Sequence, residues 1–142
     1  MATERTAEVT WNGDLMSGHG RIESVTSGAI GALDVDWEAR AEAAQSKTSP
    51  EELIAAAHAA CFSMALSHGL AQAGTPPERL QTSATVTFAP GTGVTGSALT
   101  VTGSVPGIDE EAFQAAAEDA KENCPVSKAL GGVEKTLQAR LQ

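Results

Sequence analysis

Two cysteines are the residues best able to do chemistry in this chain. Cys61 lies in the middle of the most apolar run, "PEELIAAAHAACFSMAL", and Cys124 lies in "ENCPVSKALGG". A thiolate is a nucleophile, a redox centre or a metal ligand, whereas a protonated buried thiol is a small hydrophobe. Cys61 is open to both readings. Reactivity needs a positive charge or strong hydrogen bonds near the sulfur. Within its own segment only His58, one turn earlier, offers either, so the cation has to come from elsewhere. The cysteines stand 63 positions apart (124 − 61), which excludes a C-x-x-C motif; they meet across a core or remain separate. Pro125 restricts Cys124 to extended backbone, and a helix break there could leave its sulfur exposed.

The other candidates are weaker. His58, Cys61 and His68 do not form a compact metal set, because seven helical residues rise roughly 10 Å, and neither a metal nor a cofactor is expected. Glu51 and Glu52 suit the first turn of a helix through its dipole. Glu52 completes a capping box, which leaves Glu51 spare. Glu51 cannot reach Cys61 along their shared helix, since ten residues span about 15 Å. A site using both is completed by a second subunit packed antiparallel on that helix. Arg40, between Glu38 and Glu42, and Arg21, in "GHGRIES", read as solvated on their own merits, and His19 and His68 as solvated or hydrogen-bonded. There is no G-x-S-x-G, phosphate-binding glycine loop or H-E-x-x-H.

The elements that must position these residues follow from pattern. "TAEVTW" (6–11) alternates with Ala7, Val9 and Trp11 on one side, as a half-buried strand should. "NGD" then turns the chain. "GRIESV" and "ALDVDWEA" give two further strands of an antiparallel meander. Residues 49–73 form the clearest helix, with Ser49 as N-cap, Pro50 at the first position, Glu52 closing the S-x-x-E box and Gly74 ending it. Its middle is apolar on nearly every side, which predicts a helix enclosed by protein. "SATVTFAPGTGVTGSALTVTGSV" (83–105) reads as a hairpin. Asp109 caps a second helix through Asn123, and "VEKTLQARL" is a last strand. The order β-β-β-α-β-β-α-β is that of one α+β domain over residues 1–142.

Nine basic against eighteen acidic side chains give a net charge of −9, which argues against nucleic acid or an anionic membrane as partner. The polar start carries no apolar signal region, and no run of about 18 consecutive apolar residues predicts a membrane span. A cytoplasmic protein is expected, with thiols more apt to be reduced or redox-active than to form a structural bridge.

"SPEELIAAAHAACFSMALSHGLAQAG", with "WNGDLMSGHG" before it and "VPGID" and "ENCPVSKAL" after it, resembles the OsmC branch of the OsmC/Ohr family of thiol-dependent hydroperoxide reductases. The likeness covers nearly the whole chain and shares its order of elements. It implies an antiparallel sheet on a long buried central helix in an intertwined homodimer whose two subunits build each site. It implies that Cys61 is the peroxidatic cysteine and Cys124 the resolving one. It also implies that Glu51 orients an arginine that stabilises the thiolate and the peroxide, with Arg40 the best match and Arg21 in reserve. The implied substrate is an organic hydroperoxide, with hydrogen peroxide as a second. The implied reductant is an external thiol, such as a dihydrolipoyl protein. Two other readings stand beside it. A non-catalytic thiol or peroxide sensor would oxidise once without cycling. A small-molecule-binding or thioesterase member of the fold would be indifferent to Cys61.

Overall fold

The computed structural model describes all 142 residues, which form two compact units, Met1–Leu53 and Ile54–Gln142. In the first unit, strands β1 (Ala7–Asn12), β2 (His19–Val25) and β3 (Leu33–Val35) make an antiparallel sheet in the order β1-β2-β3. Trp11 faces Gly20 across the β1–β2 pair. A Cβ on Gly20 would lie 2.6 Å from the Trp11 ring, so the glycine is what lets the indole lie flat there. The alternation of β1 is real but its burial is not: every residue of the strand is exposed, Trp11 at 40% and Val9 at 58%.

The third strand is shorter than its pattern suggests. It stops at Val35, and Trp37–Ala41 is a short helix, α1. The cause is local: Asp36 takes extended backbone and its carboxylate accepts the Ala39 N–H at 2.8 Å, an N-cap that turns the chain before alternation can continue. Arg40 therefore sits in the last turn of a helix, where the dipole favours a cation. Helix α2 (Pro50–Gln72) begins in this unit, with Ser49 Oγ accepting the Glu52 N–H at 3.1 Å and the Glu52 carboxylate accepting from Thr48 Oγ1 at 3.1 Å. The helix then continues into the second unit.

That unit holds β4 (Arg79–Ala89), β5 (Gly93–Ser104), α3 (Glu110–Asn123), α4 (Pro125–Ala129) and β6 (Glu134–Leu141). The sheet order is β4-β5-β6. The β4–β5 hairpin is antiparallel, but β6 runs parallel to β5, from Gly96↔Glu134 to Gly103↔Leu141. The expectation of a wholly antiparallel sheet is corrected here. Helix α3 carries the chain back to the end at which β5 began, and such a crossover can only lay down a parallel neighbour. The core joins Phe62, Leu66 and Leu70 of α2 to Leu99 and Val101 of β5 and to Phe113, Ala117 and Ala120 of α3. Each large side chain buried this way contributes about 2 kcal/mol. Phe113 seats on Gly103 of β5, where a Cβ would stand 2.6 Å from the ring.

Helix α2 differs from expectation in two respects. Its mean hydropathy of 1.4 over an 18-residue window makes it long and apolar enough, by length and composition, to cross a membrane. Counting consecutive apolar residues missed this because serines and histidines interrupt the alanines. In addition, only one stripe is buried, His58, Phe62, Leu66 and Leu70 at a spacing of four, while Met64 on another side is 73% exposed. Two serines of the same unit hydrogen-bond His58 on that stripe, the arrangement of a helix that belongs to a protein core.

Candidate functional site

The sequence-selected residues fall into two groups, one in each unit. In the first unit, Arg40 on α1 meets Glu51 in the first turn of α2. Arg40 Nε and Nη2 both donate to Glu51 Oε1, at 3.0 and 2.9 Å. Both donors converge on one oxygen, so Oε2 is buried without a hydrogen-bond partner. Glu51 is 6% exposed, a burial that a lone carboxylate would not tolerate and that the guanidinium makes possible. Arg40 is therefore not the solvated residue its acidic neighbours suggested. Arg21 makes a looser pair with Asp34 at 3.4 Å, and both side chains are more than half exposed. Beside the Arg40 pair lies a cavity of about 170 Å³ lined mainly by Trp11, Leu15, Val35, Trp37, Arg40 and Pro50.

In the second unit, Cys61 on α2 and Cys124 at the α3–α4 junction are both free thiols, and each shifts the acidity of the other. Cys124 is at once the C-cap of α3 and the N-cap of α4, with extended backbone as Pro125 requires. The helix break does not expose its sulfur, which is fully buried. Instead, Cys124 Sγ accepts the Ser127 N–H and donates to Ser127 Oγ, both at 3.4 Å. These contacts divide the acidity of the pair unequally. Burial pushes the Cys61 thiol up, the Val126 N–H opposes this, and the neighbouring Cys124 adds to the rise. Burial also works against ionising Cys124, but the Ser127 hydroxyl and N–H, the Cys61 thiol and the Val126 N–H outweigh it and leave its pKa below the ordinary thiol value. The second unit alone thus makes Cys124 the more acidic of the two thiols.

Behind Cys124 stands His58, fully buried, with Nδ1 2.7 Å from Ser97 Oγ and Nε2 2.8 Å from Ser127 Oγ. Burial first, and the Lys135 charge second, hold its pKa below the usual histidine value, so the ring is neutral at pH 7. Both ring nitrogens are occupied, and no three His, Cys, Asp or Glu side chains gather anywhere as a metal set.

A family profile described as "OsmC-like protein" matches residues 43–138. The chain belongs to the OsmC family. Among curated relatives of this OsmC-family chain, Peroxiredoxin OsmC of Escherichia coli (strain K12) is 39% identical over 145 residues, covering 100% of this chain and 99% of that protein. Among solved structures, the organic hydroperoxide resistance protein OhrB of Bacillus subtilis is 29% identical with a TM-score of 0.65, covering 96% of this chain and 98% of that one. An organic hydroperoxide resistance protein from Elizabethkingia anophelis is 26% identical with a TM-score of 0.70, and covers both chains completely.

Sequence reasoning passed over Ser97 and Ser127. A signal was present for each. Ser97 falls in phase with Leu99 and Val101 on the inward side of β5, and His58 in phase with Phe62 and Leu66 on α2. Two polar residues at core positions on facing elements need each other as partners. Ser127 stands three residues after the capping Cys124, where a first-turn N–H meets the cap side chain.

Proposed function

We propose that this OsmC-family chain is a cysteine-based peroxidase that reduces organic hydroperoxides, and hydrogen peroxide as well, to alcohols or water. The observation that carries the reading is the pair of free thiols, Cys61 partly accessible and Cys124 buried, near enough that each shifts the acidity of the other. Cys61 Sγ, as thiolate, attacks one oxygen of R–O–O–H. The O–O bond breaks, Cys61 becomes a sulfenic acid and the alkoxide leaves as alcohol after taking up a proton. Cys124 then attacks the sulfenic sulfur, a disulfide forms and water departs. An external dithiol, such as a dihydrolipoyl protein, restores both thiols by exchange.

Because burial raises the Cys61 pKa, activation requires a cation, and Arg40 held by Glu51 is the one we assign. Its guanidinium would stabilise the thiolate and bind the peroxide oxygens, with Glu51 fixing its orientation. The cavity of about 170 Å³ walled by Trp11, Leu15, Val35 and Trp37 suits an apolar peroxide tail. A homodimer is supported by α2, an apolar helix with only 22% of its most hydropathic window buried within one chain. Two free cysteines suit the reducing cytoplasm. The match of relatives over the full length supports reading residues 1–142 as one functional domain.

The test is Cys124→Ser treated with one equivalent of cumene hydroperoxide and followed by intact-mass spectrometry. The variant should stop at a sulfenic acid, about 16 mass units heavier, while the wild type loses about two as the disulfide forms. A Cys124→Ser chain that turns over with dithiol like the wild type would refute the resolving role.

A further inference from the structure

The mechanism just proposed uses Cys61 and Cys124 but not the buried polar chain behind them. That chain is continuous. His58 of α2, Ser97 of β5 and Ser127 of α4 come from three elements, all at 2% exposure or less. A satisfied core histidine needs only partners for its two nitrogens. Here the second partner, Ser127 Oγ, is itself bonded onward to Cys124 Sγ at 3.4 Å.

One tautomer of the ring makes the donors run one way. Cys124 Sγ–H donates to Ser127 Oγ. Ser127 Oγ lies 2.8 Å from His58 Nε2, and His58 Nδ1 lies 2.7 Å from Ser97 Oγ; with a neutral ring in the Nδ1–H tautomer, the Ser127 hydroxyl donates to Nε2 and Nδ1–H donates to Ser97 Oγ. Lys135 of β6, whose ammonium is held by the Leu130 and Val133 carbonyls at 2.8 and 2.9 Å, favours that neutral ring. Such a ring accepts at Nε2 and so fixes which way the Ser127 oxygen faces. Without it the hydroxyl is free to rotate and to leave the sulfur.

We propose that His58, acting through Ser127, is a positioning residue for the resolving step: it holds the Ser127 oxygen on the Cys124 thiol hydrogen so that a sulfur lone pair is left to face Cys61. This rests on the two-cysteine reading above. In the step, Cys124 Sγ attacks the sulfenic sulfur of Cys61, the S–S bond forms and the S–O bond breaks. The Cys124 proton stays on its sulfur, hydrogen-bonded to Ser127 Oγ, while the sulfurs join, and is then released to the departing hydroxide, which leaves as water. Cys124 is oxidised and the sulfenic sulfur reduced to the disulfide level, so no further oxidant or reductant enters.

The experiment is rapid acid quench of the full-length, fully reduced protein mixed with one equivalent of cumene hydroperoxide, with sulfenic acid and disulfide counted by mass. The wild type, His58→Ala, Ser127→Ala, the double variant and His58→Gln are compared. Ser127→Ala keeps the backbone N–H on Cys124 and tests the idea even where His58→Ala folds poorly. Each single variant should form the disulfide about tenfold more slowly, the scale of one lost hydrogen bond to a reacting group, so that sulfenic acid accumulates. The double variant should be no slower than Ser127→Ala, because His58 acts through that hydroxyl. His58→Gln, which can still accept from Ser127, should recover part of the rate. Unchanged disulfide formation in Ser127→Ala overturns the proposal, as do single-variant losses that multiply in the double variant. A wild type that forms no Cys61–Cys124 disulfide overturns the two-cysteine reading itself, and is recognised in the arm without substitutions.

Discussion

Cys61→Ser should consume no hydroperoxide, with turnover in the presence of a dithiol falling by on the order of 10⁴-fold or more. A serine hydroxyl is not ionised near neutral pH and has no sulfenic state, so both the nucleophile and the redox carrier are lost together. The fold should survive. The substitution is nearly isosteric, and the position is only partly buried. A thermal midpoint within a few degrees of the wild type, beside a flat peroxide trace, separates lost chemistry from lost structure. Peroxide consumption retained by a folded Cys61→Ser would end the peroxidase reading and return Cys61 to core packing.

Arg40→Ala is expected to act on stability and rate at once. The Glu51 carboxylate, 6% exposed, has Arg40 as its hydrogen-bond partner at Oε1 and none at Oε2. Removing one member of a fully buried pair costs 3–5 kcal/mol. Because the Arg40 side chain is itself 32% exposed, the cost here should be about 2 kcal/mol, readable from urea midpoints. The loss of the cation assigned to Cys61 should slow sulfenic acid formation by about 100-fold. Arg40→Lys should recover little, since an ammonium cannot offer the two donors that Nε and Nη2 present to one oxygen. Arg21→Ala should change stability by less than about 0.5 kcal/mol, as its pair with Asp34 lies in solvent. If Arg21→Ala slows the peroxide reaction and Arg40→Ala does not, the roles assigned to the two arginines are reversed.

What could be read from the residues was what local physics decides. The capping of α2 at Ser49, the end of α3 before Pro125 and the β4–β5 hairpin each depend on neighbours within a few positions. The boundary of β3 was misread for an instructive reason: Leu33, Val35 and Trp37 continue a strand's alternation, yet Asp36 offers a cap that ends it. The parallel β6 was beyond local reading, because pairing with β5 is decided by where α3 delivers the chain. The site divides similarly. The cysteines stand out by type, and the spare Glu51 by its place beside a capping box. Arg40 alone looked solvated until a fold put Glu51 against it. His58, Ser97 and Ser127 were each ordinary in isolation, and acquire meaning only as three buried groups satisfying one another.

The 63 positions between Cys61 and Cys124 have a thermodynamic consequence. A bond between them would close a loop of that length and strip conformational freedom from the unfolded chain, worth about 4 kcal/mol on the chain-entropy estimate. The oxidised chain should accordingly melt well above the dithiol-reduced one, and equal midpoints would mean that native strain cancels the gain. A chain that has just met a peroxide is then at its most resistant to unfolding, and the reductant that readies it for the next one also loosens it.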